Sequence, residues 1–148
     1  MAHVRKQIFD RVETLLTGLG TTGSRIYRSA VHPLTSVTMP GICVYCGPER
    51  LKGGTRNATT KEVDIAIDAY VEGDTYDDTF AQIQAEIEAA LYGDMDDDGR
   101  FFNGLATNLV YAGSDSHYVD TTTVAHGVME IVYQCEYQTE NGDAETAL

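Results

Sequence analysis

Residues 61–71 read Lys61-Glu62-Val63-Asp64-Ile65-Ala66-Ile67-Asp68-Ala69-Tyr70-Val71, and apolar and polar side chains alternate along most of this stretch. Successive side chains of a β-strand point to opposite faces, so the alternation predicts a strand with one face in the core. Glu62, Asp64 and Asp68 share the other face. We interpret this acidic face as a surface that meets water or a neighbouring subunit.

Two amphipathic helices and several further strands are predicted around this stretch. The first helix spans about residues 3–19 with Gly20 as its stop, and the second runs to about Leu91 from a capping box at Thr75 and Asp78. The other expected strands are residues 24–28, 41–47, 106–112 and 122–137. The expected loops are residues 32–40, a mobile segment at 50–60, and an acidic segment at 93–104.

These elements predict an α+β (mixed α/β) fold in a single domain, residues 1–137. Its mostly antiparallel sheet of about four to five strands packs against two helices. The polar residues 138–148 are expected to form a disordered C-terminal tail. The strand at 122–137 would be about 53 Å long, against a domain diameter of roughly 38 Å. Either Gly127 bends the strand, or its end projects and a neighbouring subunit covers it.

The charges are divided unevenly along the chain. Nine of the ten basic residues lie in the first 61 positions, and twenty of the 23 acidic residues follow them. Oppositely charged surfaces on one small protein favour head-to-tail association of identical copies. The alternative is that the two halves interleave in space and the asymmetry averages out.

Composition argues against several classes of protein. No apolar run approaches the roughly 20 residues of a membrane helix, and the N-terminus has no apolar segment typical of a secretory signal. Three cysteines, an odd number, favour reduced thiols. The acidic second half argues against nucleic-acid binding, which needs a basic surface.

Four short motifs resemble functional sites, and each favours a structural interpretation. Residues 18–23 spell G-x-G-x-x-G but follow a helix, which reverses the order that a dinucleotide site needs. Asp94, Asp96 and Asp98 match half of a calcium loop, although its twelfth position is Leu105 instead of Glu. A solvated acidic turn is therefore preferred, with weak calcium binding left open.

The other two motifs concern cysteines and hydroxyl groups. Cys43 and Cys46 form a C-x-x-C inside a predicted strand, where their side chains point to opposite faces, so buried structural thiols are expected. The group Ser114, Ser116, His117 and Asp120 lacks the elbow of a serine hydrolase and is interpreted as a polar turn. We therefore predict no catalytic, cofactor-binding or metal-ligating residue.

The order of elements resembles a known family. The stretches that carry the resemblance are residues 4–19, 39–45 (Met-Pro-Gly-Ile-Cys-Val-Tyr), 61–71 and 83–91 (Ile-Gln-Ala-Glu-Ile-Glu-Ala-Ala-Leu). Together the chain is similar, over most of residues 3–137, to the tail terminator (tail completion) proteins of long-tailed bacteriophages. The resemblance lies in the pattern of elements and a few local sequence similarities.

This resemblance implies a minor tail protein of the virion, located at the head-proximal end of the tail and assembled in the host cytoplasm. Such proteins form homohexameric rings that cap the tail tube, stop its polymerisation and present a surface for head–tail joining. The implied partners are other copies of the chain, the major tail tube protein and the head–tail connector (stopper) protein. DNA would pass through the lumen without specific binding, and no membrane, cofactor or catalytic residue is implied.

A plain acidic interaction module of cellular origin is a general alternative, and two more specific interpretations also stay open at this stage. One is a head-closure or neck connector protein, which can share this kind of fold. The other is a small metal- or redox-dependent enzyme built on Cys43, Cys46 and Cys135 or on the Asp94 loop.

Overall fold

The alternating stretch lies in the middle strand of a five-stranded sheet. The computed structural model describes residues 2–28, 40–73, 77–119 and 126–148. In chain order its elements are α1 (Val4–Leu16), β1 (Ile26–Tyr27), β2 (Gly41–Gly54), β3 (Ala58–Glu72), α2 (Asp77–Tyr92), β4 (Asn108–Val119) and β5 (His126–Glu140).

The strand order is β1-β2-β3-β5-β4, with β1 parallel to β2 and all other neighbours antiparallel. Long antiparallel pairing dominates, because β3 pairs with β5 along its whole length and with most of β2. The predicted α+β class, with a mostly antiparallel sheet and two helices, is confirmed.

Both helices cover the same face of the sheet. The buried residues of α1 and α2 join one core cluster with every second residue of β3, from Val63 to Val71, and of β5, from Met129 to Tyr137. The helix residues in this core are Val4, Ile8, Phe9, Val12, Leu16, Phe80, Ile83, Ile87 and Leu91. Burial of this apolar surface is the main force that holds the helices on the sheet.

The first helix ends three residues earlier than predicted. Thr17 is already extended and donates its backbone N–H to Thr14 O, and Gly18 follows with φ +90°. The positive φ makes glycine the favoured residue at this position. The predicted stop at Gly20 was therefore wrong.

The predicted mobile loop at residues 50–60 was also wrong. β2 runs through Pro48 to Gly54, and β3 begins at Ala58, so these residues form the end of a β-hairpin. A register shift between Cys46 and Glu49 accommodates the proline, which cannot donate a ladder hydrogen bond.

In the C-terminal half, two strands end later than the sequence predicted. β4 continues past residue 112 to Val119, and β5 continues past Tyr137 to Glu140. The segment expected as a disordered tail contacts the domain: Val4 N–H donates to Ala144 O, and Leu148 N–H donates to Gln138 O. The predicted loop at residues 32–39, the cap residue Thr75 and Asp120 lie outside the described residues.

Candidate interaction surface on the uncovered sheet face

No described helix covers the second face of the sheet, and this face carries a row of three acidic residues. In the strand register, Asp68 of β3 lies directly opposite Glu130 of β5, and Glu130 lies directly opposite Asp115 of β4. Like charges directly opposite one another destabilise a sheet. We call Asp68, Glu130 and Asp115 the acidic row.

Two tyrosines bind the buried end of the acidic row. The Tyr45 hydroxyl lies 3.2 Å from Asp68 Oδ2 and 3.3 Å from Glu130 Oε2, and the Tyr70 hydroxyl lies 3.3 Å from Asp68 Oδ2. Burial, and next the Glu130 charge, raise the pKa of the Asp68 carboxyl despite these hydrogen bonds. The fold therefore keeps a carboxylate where its charged form is disfavoured.

Two further acidic residues of this face, Glu62 and Asp64, are neutralised by cations. Arg50 donates from Nε to Glu62 Oε1 at 2.7 Å and from Nη2 to Asp64 Oδ1 at 2.6 Å. Lys52 Nζ lies 3.3 Å from Glu62 Oε2. Burial acts in the opposite direction, but these contacts lower the pKa of the Glu62 carboxyl. Glu62 and Asp64 are therefore compensated, whereas the acidic row and Glu136, which lies opposite Glu62, have no cation among the described ion pairs.

Replacing Asp68 with asparagine should stabilise the protein at pH 7 by up to about 1 kcal/mol, because it removes one of two directly opposed charges. The folded-state pKa of Asp68 is raised above 3.8, so its ionisation costs stability as pH rises through and above that value. The gain should therefore shrink as pH falls toward 4 and vanish about one unit below that, where the carboxyl is protonated in both states. Urea unfolding of wild type and the Asp68→Asn variant at pH 4 and pH 7 tests this. If the two proteins differ in free energy of unfolding by the same amount at both pH values, the prediction is contradicted.

The three cysteines do not meet at one site. Cys43 is buried on the uncovered face beside Asp68, whereas Cys46 lies on the helix side, as the predicted strand geometry requires. Cys135 is buried on β5, with β3 between it and Cys46. Burial raises the pKa of Cys43 to about 11 and of Cys135 to about 12, so neither is an activated thiol. Cys46 is exposed, which corrects the prediction that it is buried.

The carboxylates of the calcium-like loop are used for structure. Asp94 accepts hydrogen bonds from Arg11 Nη2 at 2.6 Å and from the Phe102 backbone N–H at 2.9 Å. Asp96 accepts from the backbone N–H groups of Asp98 and Arg100. Across the described parts of the chain, no three His, Cys, Asp or Glu side chains are grouped to hold a metal ion. The acidic turn is the interpretation that fits this geometry.

The glycine motif forms the turn between α1 and β1, so a helix precedes it and a strand follows it, as predicted. Gly18 N–H donates to Gly23 O, and Gly23 N–H donates to Leu19 O. Thr21 binds α2, since its backbone N–H and its hydroxyl both donate to the Glu86 carboxylate at 2.8 and 2.7 Å. The motif is therefore a structural turn that is fixed to α2.

The serine and histidine group lies in β4 and not in the predicted polar turn. In the register, Ser114 and Ser116 are opposite the core residues Ile131 and Met129, whereas His117 is opposite Val128 of the uncovered face. The serines and the histidine thus point to opposite sides of the sheet, which no nucleophile–base pair allows.

Sequence analysis missed the partners of the acidic row. Alternation along residues 126–137 places Glu130 on one face of its strand, but it does not say which residue of β3 lies opposite. Tyr45 and Arg50 reach this face through the β2–β3 pairing, part of which was predicted as a loop.

None of the described helices is long and apolar enough to cross a membrane.

Comparison with known proteins gives a likeness of fold. No protein-family model and no curated protein matches this sequence. A chain from the solved structure of the virion of a native gene transfer agent (GTA) particle is similar, with a TM-score of 0.55 and 16% sequence identity. The match covers 93% of this chain and 92% of that one, so the two share their fold over nearly their whole lengths.

Proposed function

We propose that this protein is a structural, non-enzymatic component of a phage-like virion, and within the virion a tail terminator. In this role a homohexameric ring caps the tail tube at its head-proximal end, stops polymerisation and provides the surface for head–tail joining. The observation that carries the proposal is the likeness, along nearly the whole chain, to a chain of the gene transfer agent virion. Since one fold can host unrelated functions, the surface of the chain must also fit the role.

The uncovered sheet face supports a channel-lining position. Asp68, Glu130 and Asp115 place three carboxylates side by side, and six copies would repeat them around a ring. A channel with this charge repels DNA phosphates, so the genome passes without binding. The charge repulsion within the row costs stability, and a role in DNA passage would account for a row with that cost.

A head-closure or neck protein is the second candidate, since the similar chain belongs to a virion and its fold does not fix a position inside the particle. The enzyme alternative has less support, because Cys43 and Cys46 lie on opposite faces and Asp94 is bonded to Arg11. The partners that distinguish the first two candidates are the tail tube protein and the portal-side connector.

Electron microscopy of the purified protein mixed with tail tubes tests the proposal. We expect six-fold annuli, one at the growing end of each tube, and tubes that stop lengthening when the protein is added during polymerisation. Portal complexes in place of tubes are the control. Binding to portals but not to tubes would favour the neck role, and binding to neither would overturn both assignments.

A further inference from the structure

The two lateral sides of the molecule differ in charge. The strand order puts β1 and β2 at one side of the sheet and β4 at the other. α1 lies over the first side, and α2 borders β4, where Tyr92 Oη donates to Leu109 O. Elements α2 and β4 together hold five acidic residues and neither lysine nor arginine: Asp77, Asp78, Glu86, Glu88 and Asp115.

The first side carries a cavity of 260 Å³ between α1 and β2, which we call the basic notch; its lining includes His3, Arg5, Lys6 and Arg28. The side chains of Arg5, Lys6 and Arg28 are 42%, 63% and 34% exposed. Each cation already has an acidic neighbour outside the lining: Arg5 contacts Glu49 through one nitrogen, Lys6 contacts Asp10 through its ammonium group, and Arg28 contacts Asp10 and Glu13 through Nη1. A guanidinium has five donors and an ammonium three, so both can also bind an incoming carboxylate.

The opposite side carries a cavity of 340 Å³ between α2 and β4, which we call the acidic groove. Asp77, Ala81, Gln84 and Glu88 recur at spacings of four, three and four residues, so they form one stripe of α2. Gln84 Nε2 lies 3.4 Å from the hydroxyl of Tyr111, which is 40% exposed on β4. No described strand pairs with the outer edge of β4, so this edge is open to a partner.

We propose that the acidic groove of one copy docks on the basic notch of the next, in a head-to-tail contact that closes the ring. The inference rests on the proposed function, which requires a ring. Copies with a net charge of −13 repel one another at long range, so association needs a local surface of opposite sign. Since the two surfaces lie at opposite sides of the sheet, each copy uses both and leaves its uncovered face toward the centre.

Charge reversal on each surface tests the contact. The notch variant carries Arg5→Glu and Lys6→Glu, and the groove variant carries Asp77→Lys and Glu88→Lys. Each variant then has two surfaces of the same sign, so we expect wild type to assemble and both variants to stay monomeric in light-scattering-coupled size exclusion. An equimolar mixture of the two variants, or one chain with all four substitutions, restores opposite signs and should assemble again.

A control matched to the groove variant places the same charge change elsewhere: Asp97→Lys with Asp98→Lys alters two exposed acidic residues of the 93–104 loop and should assemble like wild type. Assembly of both reversed variants would overturn the inference and leave the ring standing. A wild type that stays monomeric, also with tail tubes, would overturn the ring itself.

Circular dichroism verifies that the reversed variants fold. If one does not, Lys6→Gln and Asp77→Asn provide the milder test. Each should weaken self-association and reduce its dependence on salt, because each removes one charge from the contact. If both milder variants self-associate as strongly as wild type does, the proposal is contradicted.

Discussion

Replacing Asp94 with alanine will lower the free energy of unfolding by about 3 kcal/mol, because it breaks a largely buried ion pair and removes the acceptor of a buried N–H group. The Asp94 side chain is 9% exposed and accepts from Arg11 of α1 at 2.6 Å. It also accepts from the backbone N–H of Phe102, a fully buried residue with φ +59°. The expected loss of melting temperature is roughly 6–12 °C for a chain of this size.

Two variants separate this role of Asp94 from a general effect of loop charge. Asp97→Ala removes an exposed carboxylate from the same loop and should change stability by less than about 0.5 kcal/mol. Asp94→Asn keeps an acceptor for the Phe102 N–H but loses the ion pair, so its stability should lie between those of the other two variants. Equal stabilities of Asp94→Ala and Asp97→Ala would show that the loop does not depend on Asp94.

Calcium provides an independent measurement on the same loop. A ligand that binds only the folded state raises its stability. Because Asp94 and Asp96 already accept internal hydrogen bonds, we expect millimolar calcium to leave the melting temperature of wild type unchanged. A rise that disappears in Asp94→Ala would support calcium binding.

Periodicity predicted the helices and the middle of the sheet because each is decided by neighbours in sequence. The strand at residues 61–71 and the buried side of α2 follow from alternation and from helical spacing. The hairpin at residues 50–60 could not be predicted from either pattern, since its glycines and charges are typical of a loop. It becomes a strand because β3 extends to Ala58 and pairs with β5 there, which gives β2 an edge to join.

The candidate site was only half predictable for a related reason. Glu62, Asp64 and Asp68 were placed correctly on one face by alternation within a single strand. The row that Asp68 forms with Glu130 and Asp115 depends on the register between distant segments, and a shift of one residue would separate them. Local sequence carries no signal for that register.

The charge asymmetry averages out only in part. Arg11 pairs with Asp94, and Arg50 pairs with Glu62 and Asp64, so cations of the first 61 residues neutralise acidic residues of the second part. The acidic row and the α2 stripe have no such partner among the described ion pairs. Part of the excess negative charge thus lies on the uncovered face and at one lateral side.

Reversing the two exposed charges of the acidic row, with Glu130→Lys and Asp115→Lys, should give the protein an affinity for DNA that we expect wild type to lack. If each of the two lysines contacts a phosphate, the affinity of the variant for DNA should fall by roughly tenfold when salt is raised from 50 to 200 mM. Wild type should lack this salt dependence. Fluorescence anisotropy of a labelled duplex at several salt concentrations measures it. The fold should tolerate the change, because Glu130→Lys turns the repulsion with Asp68 into an attraction, while the two introduced lysines replace one like-charge pair of the row by another.

The variant Asp97→Lys with Asp98→Lys has the same net charge, so it separates the effect of position from that of total charge. If the uncovered face lines the channel, only the row variant should hold DNA tightly, since a ring presents its lysines together around one duplex. Because Asp115 also lines the acidic groove, the single variant Glu130→Lys is the one whose rings should cap tubes normally and yet slow the passage of DNA. Equal DNA binding by both variants would mean that the row has no special position, and the channel-lining assignment of the uncovered face would be wrong.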